Sequence, residues 1–299
     1  MGIVILAFLA AGCAHSPGPI PPGFAEPTLS PRTSTYNDLK QLPAPKGRIV
    51  VSVYNFGDKT GQYKSAPASS FSTAVTQGAT AMLAQALHDS DWFITLEREG
   101  LQNLLTERKI IRAALKKPDT PSNNDIELPS LLAANVLLEG GIVGYDTNIL
   151  TGGAGARFLG IGASEQYRMD QVTVNLRAID IRTGRILNNV STSKTILSQE
   201  VQTGVFKFIE YKKLLELEAG VTTNEPTQLC VRTAIEAAVI HMIVDGLHSN
   251  TWQLNDQNEM GDPVINKYSL MEPVVMAGYQ EHPGKPQDAT GSPQIFSGH

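Results

Sequence analysis

The chain has 299 residues, 41% of them hydrophobic and 18% charged, with a formal net charge of −5. That length holds one sizeable core with appendages or two small domains, and the negative balance gives no sequence-wide basic field of the kind that gathers on nucleic acid. Outside the N-terminal run no apolar stretch reaches the ~18 residues that a membrane-crossing helix needs, which leaves strands or a lipid as the routes into a membrane.

Residues 3–12 form an apolar run that ends in small residues directly before Cys13. The pattern reads as a signal peptide over residues 1–12 whose cleavage leaves Cys13 as the first residue, with a lipid on it; an ordinary secretory signal with an incidental cysteine is the alternative. Ala10 stands where a lipobox usually has leucine, and no Lys or Arg precedes the run, so the natural start is expected upstream of Met1. With Cys13 acylated, Cys230 has no partner and is expected as a buried free thiol. Residues 13–33 carry Pro17, Pro19, Pro21, Pro22, Pro27 and Pro31 and read as an extended tether. Ala14, in place of the aspartate that retains lipoproteins at the inner membrane, points to the outer one.

A folded body is expected over residues 34–270. Residues 48–56 read as a strand buried on at least one face, 57–70 as a loop with Gly61 and Pro67, and 71–88 as a helix with Val75, Ala79, Met82, Leu83, Ala86 and Leu87 on one side. A short strand over 92–96 precedes a second helix marked by Leu101, Leu104, Leu105 and Ile111, then a polar loop over 116–124. A short helix over 131–135 is expected to feed a strand over 136–145. Residues 172–181 and 186–197 pair as a hairpin around Arg182-Thr183-Gly184. Pro226 opens a long helix through Leu247, and residues 271–299 read as a flexible tail. Together these make an α/β sandwich, one domain with two hairpin insertions.

The insertions lie near residues 148–169 and 199–223, each long enough for two strands of about ten residues, the length that a tilted strand needs to cross a bilayer. In Leu215-Glu216-Leu217-Glu218-Ala219-Gly220-Val221-Thr222 apolar residues alternate with polar ones or glycine. A barrel wall and the edge hairpin of a soluble sheet both give this pattern. Between residues 166 and 181 the apolar phase flips near Asp170-Gln171: Tyr167 and Met169 are odd, whereas Val172, Val174 and Leu176 are even. A strand passing from a membrane wall into a soluble sheet requires such a flip, and a β-bulge in an ordinary sheet also produces it.

Enzyme motifs fail on inspection. In the glycine segment 152–160 the third glycine of a dinucleotide loop would fall at Phe158, and the lysine of a phosphate loop is replaced by Ile161. His241 and His248 share a helix face but stand too far apart for one ion. No nucleophile–base arrangement stands out, so no enzyme, cofactor or metal is expected.

The chain as a whole resembles the curli secretion channel family, CsgG, a family of outer-membrane lipoproteins, over roughly residues 31–252. The resemblance is carried by Leu42-Pro43-Ala44-Pro45, Val51-Ser52-Val53-Tyr54-Asn55, Thr60-Gly61-Gln62, Phe71-Ser72-Thr73-Ala74-Val75 and Glu107-Arg108-Lys109-Ile110-Ile111-Arg112-Ala113-Ala114. Gly155-Ala156-Arg157, Gly160-Ile161-Gly162-Ala163, Thr192-Ser193-Lys194-Thr195-Ile196-Leu197-Ser198 and Asn224-Glu225-Pro226 extend it.

The resemblance implies a periplasmic α/β domain assembling into a ring of about nine copies, each giving two hairpins to one barrel of about 36 strands. It implies nucleotide-independent export of unfolded curli subunits, with a periplasmic capping adaptor and a surface assembly factor as partners. It places the channel constriction at Ala66, Ser70 and Phe71, where the family stacks a tyrosine, an asparagine and a phenylalanine. With only the phenylalanine kept, a wider and less clamping constriction is expected here. Glu200, Glu216 and Glu218 match acidic residues of the family's lumen, whose repetition around a ring would repel acidic chains. Two rivals remain: a lipid-anchored periplasmic scaffold without a pore, and a phosphate-dependent enzyme using the glycine segment.

Overall fold

The computed structural model describes residues 32–64, 72–115, 128–151, 166–202, 205–209 and 226–271. The expected signal peptide, the lipid-bearing Cys13, the proline-rich tether and the tail beyond residue 271 lie outside them.

The elements run α1 (Ser34–Lys40), β1 (Ile49–Asp58), α2 (Ala79–Asp89), β2 (Phe93–Leu96), α3 (Leu101–Leu115), β3 (Val136–Thr151), β4 (Gln166–Asp180), β5 (Ile186–Gln202), β6 (Val205–Ile209), α4 (Pro226–His248) and α5 (Pro263–Ser269). The strands form one sheet in the order β2-β1-β3-β4-β5-β6. β1 runs parallel to β2 and β3, and β3 to β6 form an antiparallel meander. The fold is mixed α/β, as the alternation of periods in the sequence implies.

One face of the sheet supplies the core. Val51, Val53 and Phe56 of β1, Leu138 and Ile142 of β3, and Val172, Val174, Leu176 and Ala178 of β4 are all buried. On α2 the buried positions Ala79, Leu83, Ala86 and Leu87 follow helical spacing. α4 is buried nearly all round, because it lies against β4 and β5 on one side and meets α1, α2 and α5 as well. Cys230, on this helix, is a buried free thiol, as its lack of a partner implied.

Four local expectations need correction. The helix expected from residue 71 begins only at Ala79; residues 72–78 are irregular, with Thr73 bridged to Tyr63. The threonine hydroxyls there bond the local backbone, Thr73 to the Val75 carbonyl and Thr76 to the Gly78 amide, and so compete with helical pairing. Residues 131–135 form no helix; Leu131 and Leu132 are exposed, and Asn135 donates its amide to Val50 O, extending toward β3. Within the stretch expected as strand 92–96, Trp92 precedes β2 and buries its ring, donating from Nε1 to Pro43 O at 2.8 Å. Finally α1, α5 and a 3-10 turn at Gln257–Gly261 were not foreseen; Thr33 caps α1 by accepting from Tyr36 N, and Asp262 caps α5 by accepting from Val264 N, with Pro263 opening it.

Candidate functional site

At one end of the sheet four strands outrun the α/β core. β1 accompanies β3 only to the pair Asp58↔Ile142, while β3 and β4 stay paired as far as Thr151↔Gln166. β5 continues beside β4, and β6 beside β5. Beyond Ile142 one edge of β3 has no partner strand among the described residues, and the outer edge of β6 has none either. Open edges carry unpaired N–H and C=O groups, tolerable in water and costly in lipid, at several kcal/mol per group.

The chemistry of β4 changes where the core stops. Its pairing with β5 runs without a register shift from Tyr167↔Gln199 to Ala178↔Asn188, so the change of apolar phase near Asp170 is not a bulge in β4. The irregularity lies in β3, between Ile142 and Gly144. The core-facing row Ala178, Leu176, Val174, Val172 simply continues to Asp170 and then Arg168, so the same face turns from apolar to ionic.

Asp170 is fully buried. Tyr145 Oη donates to its Oδ1 at 2.8 Å, and Arg168 Nε donates to the same oxygen at 3.2 Å while lying 3.1 Å from Oδ2. Arg168 also donates from Nη2 to Tyr145 Oη at 3.3 Å, and the Cys230 thiol points at Asp170 O at 3.6 Å. A carboxylate without water survives only with such partners. Burial pushes the Cys230 thiol up to about 12; Asp170 adds to this and Lys194 opposes it. The sequence signal for Asp170 was the phase flip itself. Tyr145 and Arg168 were missed, because only the register brings all three together.

The expected site residues fall mostly beyond the described ones. Ala66, Ser70 and Phe71, and likewise Glu216 and Glu218, lie outside the described residues. Glu200 sits in β5, paired with Phe206 of β6. The two flanks of the expected constriction are nevertheless fixed: Lys64 N bonds Ser72 O at 2.8 Å and Ala74 N bonds Gln62 O at 2.9 Å. The two flanks therefore stand side by side shortly after β1 ends, at the strand end from which β3 to β6 project.

A second buried acid lies on α4. Glu236 accepts from Thr33 Oγ1, joining the residue before α1 to the central helix. Burial pushes its carboxyl up to about 6, with Thr33 and Arg232 pulling down and Asp89 pushing up. A raised acid adds stability that is complete below its unfolded value near 4.5 and is lost as pH rises through about 6. The loss amounts to about 2 kcal/mol. Denaturant unfolding at pH 4.5 and 7.5 should therefore show wild type losing about that much relative to Glu236→Gln; an equal gap at both pH values contradicts the assignment.

Among the described residues no three His, Cys, Asp or Glu side chains converge as a metal site, and no helix is long and apolar enough to cross a membrane. His241 instead packs edge-on against Tyr268, ring centroids 5.0 Å apart.

The family described as the curli production assembly/transport component CsgG matches residues 32–271. The component of that name from Escherichia coli strain K12 is 54% identical over 269 residues, spanning 90% of this chain and 96% of that one. Its counterpart from Salmonella typhimurium strain LT2 is 54% identical over 266 residues, 89% of this chain and 95% of that one.

Proposed function

The chain belongs to the CsgG family of curli production assembly/transport components, and from that premise we propose that it is an oligomeric, nucleotide-independent protein secretion channel exporting unfolded curli subunits. Curli assembly and transport is work of the cell envelope. In this reading the protein sits in the outer membrane, anchored by lipid on Cys13, with its α/β body in the periplasm. A periplasmic capping adaptor and a surface assembly factor act beside it.

The observation that supports a channel best is the pair of open edges on the projecting strands. In a single copy they would leave backbone groups unpaired in lipid; set edge to edge in a closed ring, β6 of one copy meets β3 of the next and no edge remains. The change of β4 from an apolar to an ionic inner face at Asp170 agrees with this, since a barrel needs its apolar positions outward and its polar ones toward water. The hairpins near residues 148–169 and 199–223 would form the wall in a ring of about nine copies, or about 36 strands. Ala66, Ser70 and Phe71 would narrow the passage, and Glu200, Glu216 and Glu218 would line it.

Expression in a curli-producing strain that lacks its own component tests this. Curli subunits should reach the cell surface, and should stop doing so with Cys13→Ala if the lipid anchor is needed. Subunits confined to the periplasm, despite ring-shaped protein in the outer membrane, would favour a scaffold without a pore.

A further inference from the structure

We propose that Asp58 is a positioning residue for the constriction, its carboxylate joining the two flanks between which residues 65–71 run and so making the narrow point alike in every copy. The inference rests on the channel reading above and on its constriction at Ala66, Ser70 and Phe71.

Asp58 is the last residue of β1, paired with Ile142, and the next amide, Lys59 N, donates to Ile142 O at 2.9 Å. Its two carboxylate oxygens serve different flanks. Oδ1 accepts from Thr60 N at 2.8 Å and from Thr60 Oγ1 at 2.7 Å, and Thr60 Oγ1 in turn accepts from Gln62 N at 3.2 Å. Two successive side-chain turns, with Gly61 between them at φ +64°, thus steer the outgoing flank. Oδ2 accepts from Gln77 Nε2 at 3.4 Å, on the returning flank just before α2.

The flanks are also joined to each other. Ala74 N bonds Gln62 O, Lys64 N bonds Ser72 O, and Tyr63 and Thr73 form an antiparallel bridge between these two bonds. They differ in how the body holds them. The returning flank is anchored by the buried Ala74 and Val75, and α2 behind it is tied to β1 by Thr80 Oγ1, which accepts from Phe56 N and donates to Phe56 O, each at 3.1 Å. The outgoing flank buries no side chain from Lys59 to Lys64, and Tyr63 is 63% exposed. A two-stranded ribbon without an apolar anchor is marginal by itself. Its place therefore depends on hydrogen bonds, and those to an ionised acceptor are the strong ones. Without Asp58 the outgoing flank loses its hold on β1 and its side-chain link to Gln77. Every copy contributes one such pair of flanks, so a loosened clamp makes the narrow point vary around the ring.

The test is single-channel recording of the full lipidated protein in planar bilayers, comparing wild type with Asp58→Ala, Asp58→Asn and Asp180→Ala. Alanine and asparagine remove the same charge, but asparagine keeps a side-chain oxygen for Thr60, and its amide hydrogens can meet a turned Gln77 amide. Asp180 makes the same kind of turn at the opposite end of β4, accepting from Arg182 N at 2.8 Å and Thr183 Oγ1 at 3.0 Å. Asp58→Ala should widen the spread of unit conductance among channels about twofold or more and raise open-channel noise, whereas Asp58→Asn and Asp180→Ala keep the wild-type spread. A wild-type spread in Asp58→Ala overturns the proposal, and equal broadening in Asp58→Asn does so by tracing the effect to charge. Equal broadening in Asp180→Ala overturns it as well. If Asp58→Ala does not assemble, Thr60→Val keeps the carboxylate but removes the hydroxyl that links it to Gln62, and should broaden the spread; a wild-type spread there overturns the proposal. Wild type without channels overturns the channel reading, and the positioning role with it.

Discussion

Gly246→Ala should destabilise the protein by about 3–5 kcal/mol, against the sign that helix propensity alone gives. Alanine in a helix interior is favoured over glycine by about 1 kcal/mol, so a position free of neighbours would gain. At Gly246 an added Cβ would stand 1.4 Å from Trp252 Nε1 and 2.1 Å from Cε2. The indole is only 7% exposed, donates from Nε1 to Met242 O at 3.2 Å, and follows a turn in which Thr251 N and Trp252 N both bond Gly246 O. It has nowhere to shift within that turn, so it must leave its site and forfeit its burial. Trp252→Ala and the double variant complete the test. Once the ring is gone, the alanine should cost little and the two changes should be strongly non-additive. A neutral or stabilising Gly246→Ala would show that the tryptophan can move aside.

Gly140→Ala should cost about 3 kcal/mol or more, through main-chain collision combined with backbone strain. Gly140 has φ +159°, and a Cβ there would lie 2.0 Å from Asn175 O and 3.0 Å from Phe56 Cε2. A carbonyl of the neighbouring strand cannot swing away as a flexible side chain can. The site is also where β1 shifts register against β3, between Val53 and Phe56, shortly before β3 continues without β1. Hydrogen exchange should accordingly speed up in β1, β3 and β4 together. Gly47→Ala is the control, since nothing lies within 4 Å of its added Cβ; it should stay within about 0.5 kcal/mol of wild type. Equal stability of the two variants would contradict the close approach at Gly140.

The long elements were legible because their periods repeat often enough to be counted. β4 shows its core face in Val172, Val174 and Leu176, and α4 carries apolar residues over 23 positions. Short elements offered no such repeat: α1 and α5 have seven residues each and are announced only by their caps, Thr33, Asp262 and Pro263. The stretch before α2 misled because Val75 is apolar at helical spacing and is indeed buried, yet the threonines around it hold the backbone in turns. For the site, the flip at Asp170 was visible in the sequence, but its meaning was not. That it marks a buried carboxylate gripped by Tyr145 and Arg168 depends on a hydrogen bond spanning 25 residues and on an unbroken register in β4. The roles proposed for Ala66, Ser70, Phe71, Glu200, Glu216 and Glu218 rest on family resemblance alone, since each residue taken singly looks like an ordinary loop, core or strand position.

The central claim is that copies of this chain close their open strand edges into a water-filled pore. Planar-bilayer conductance of the detergent-extracted, lipidated protein tests it most directly, measured beside Phe71→Ala. Large, stable channels whose conductance rises in the variant are the expected result. Protein that is oligomeric and membrane-bound, yet passes no current, would contradict it.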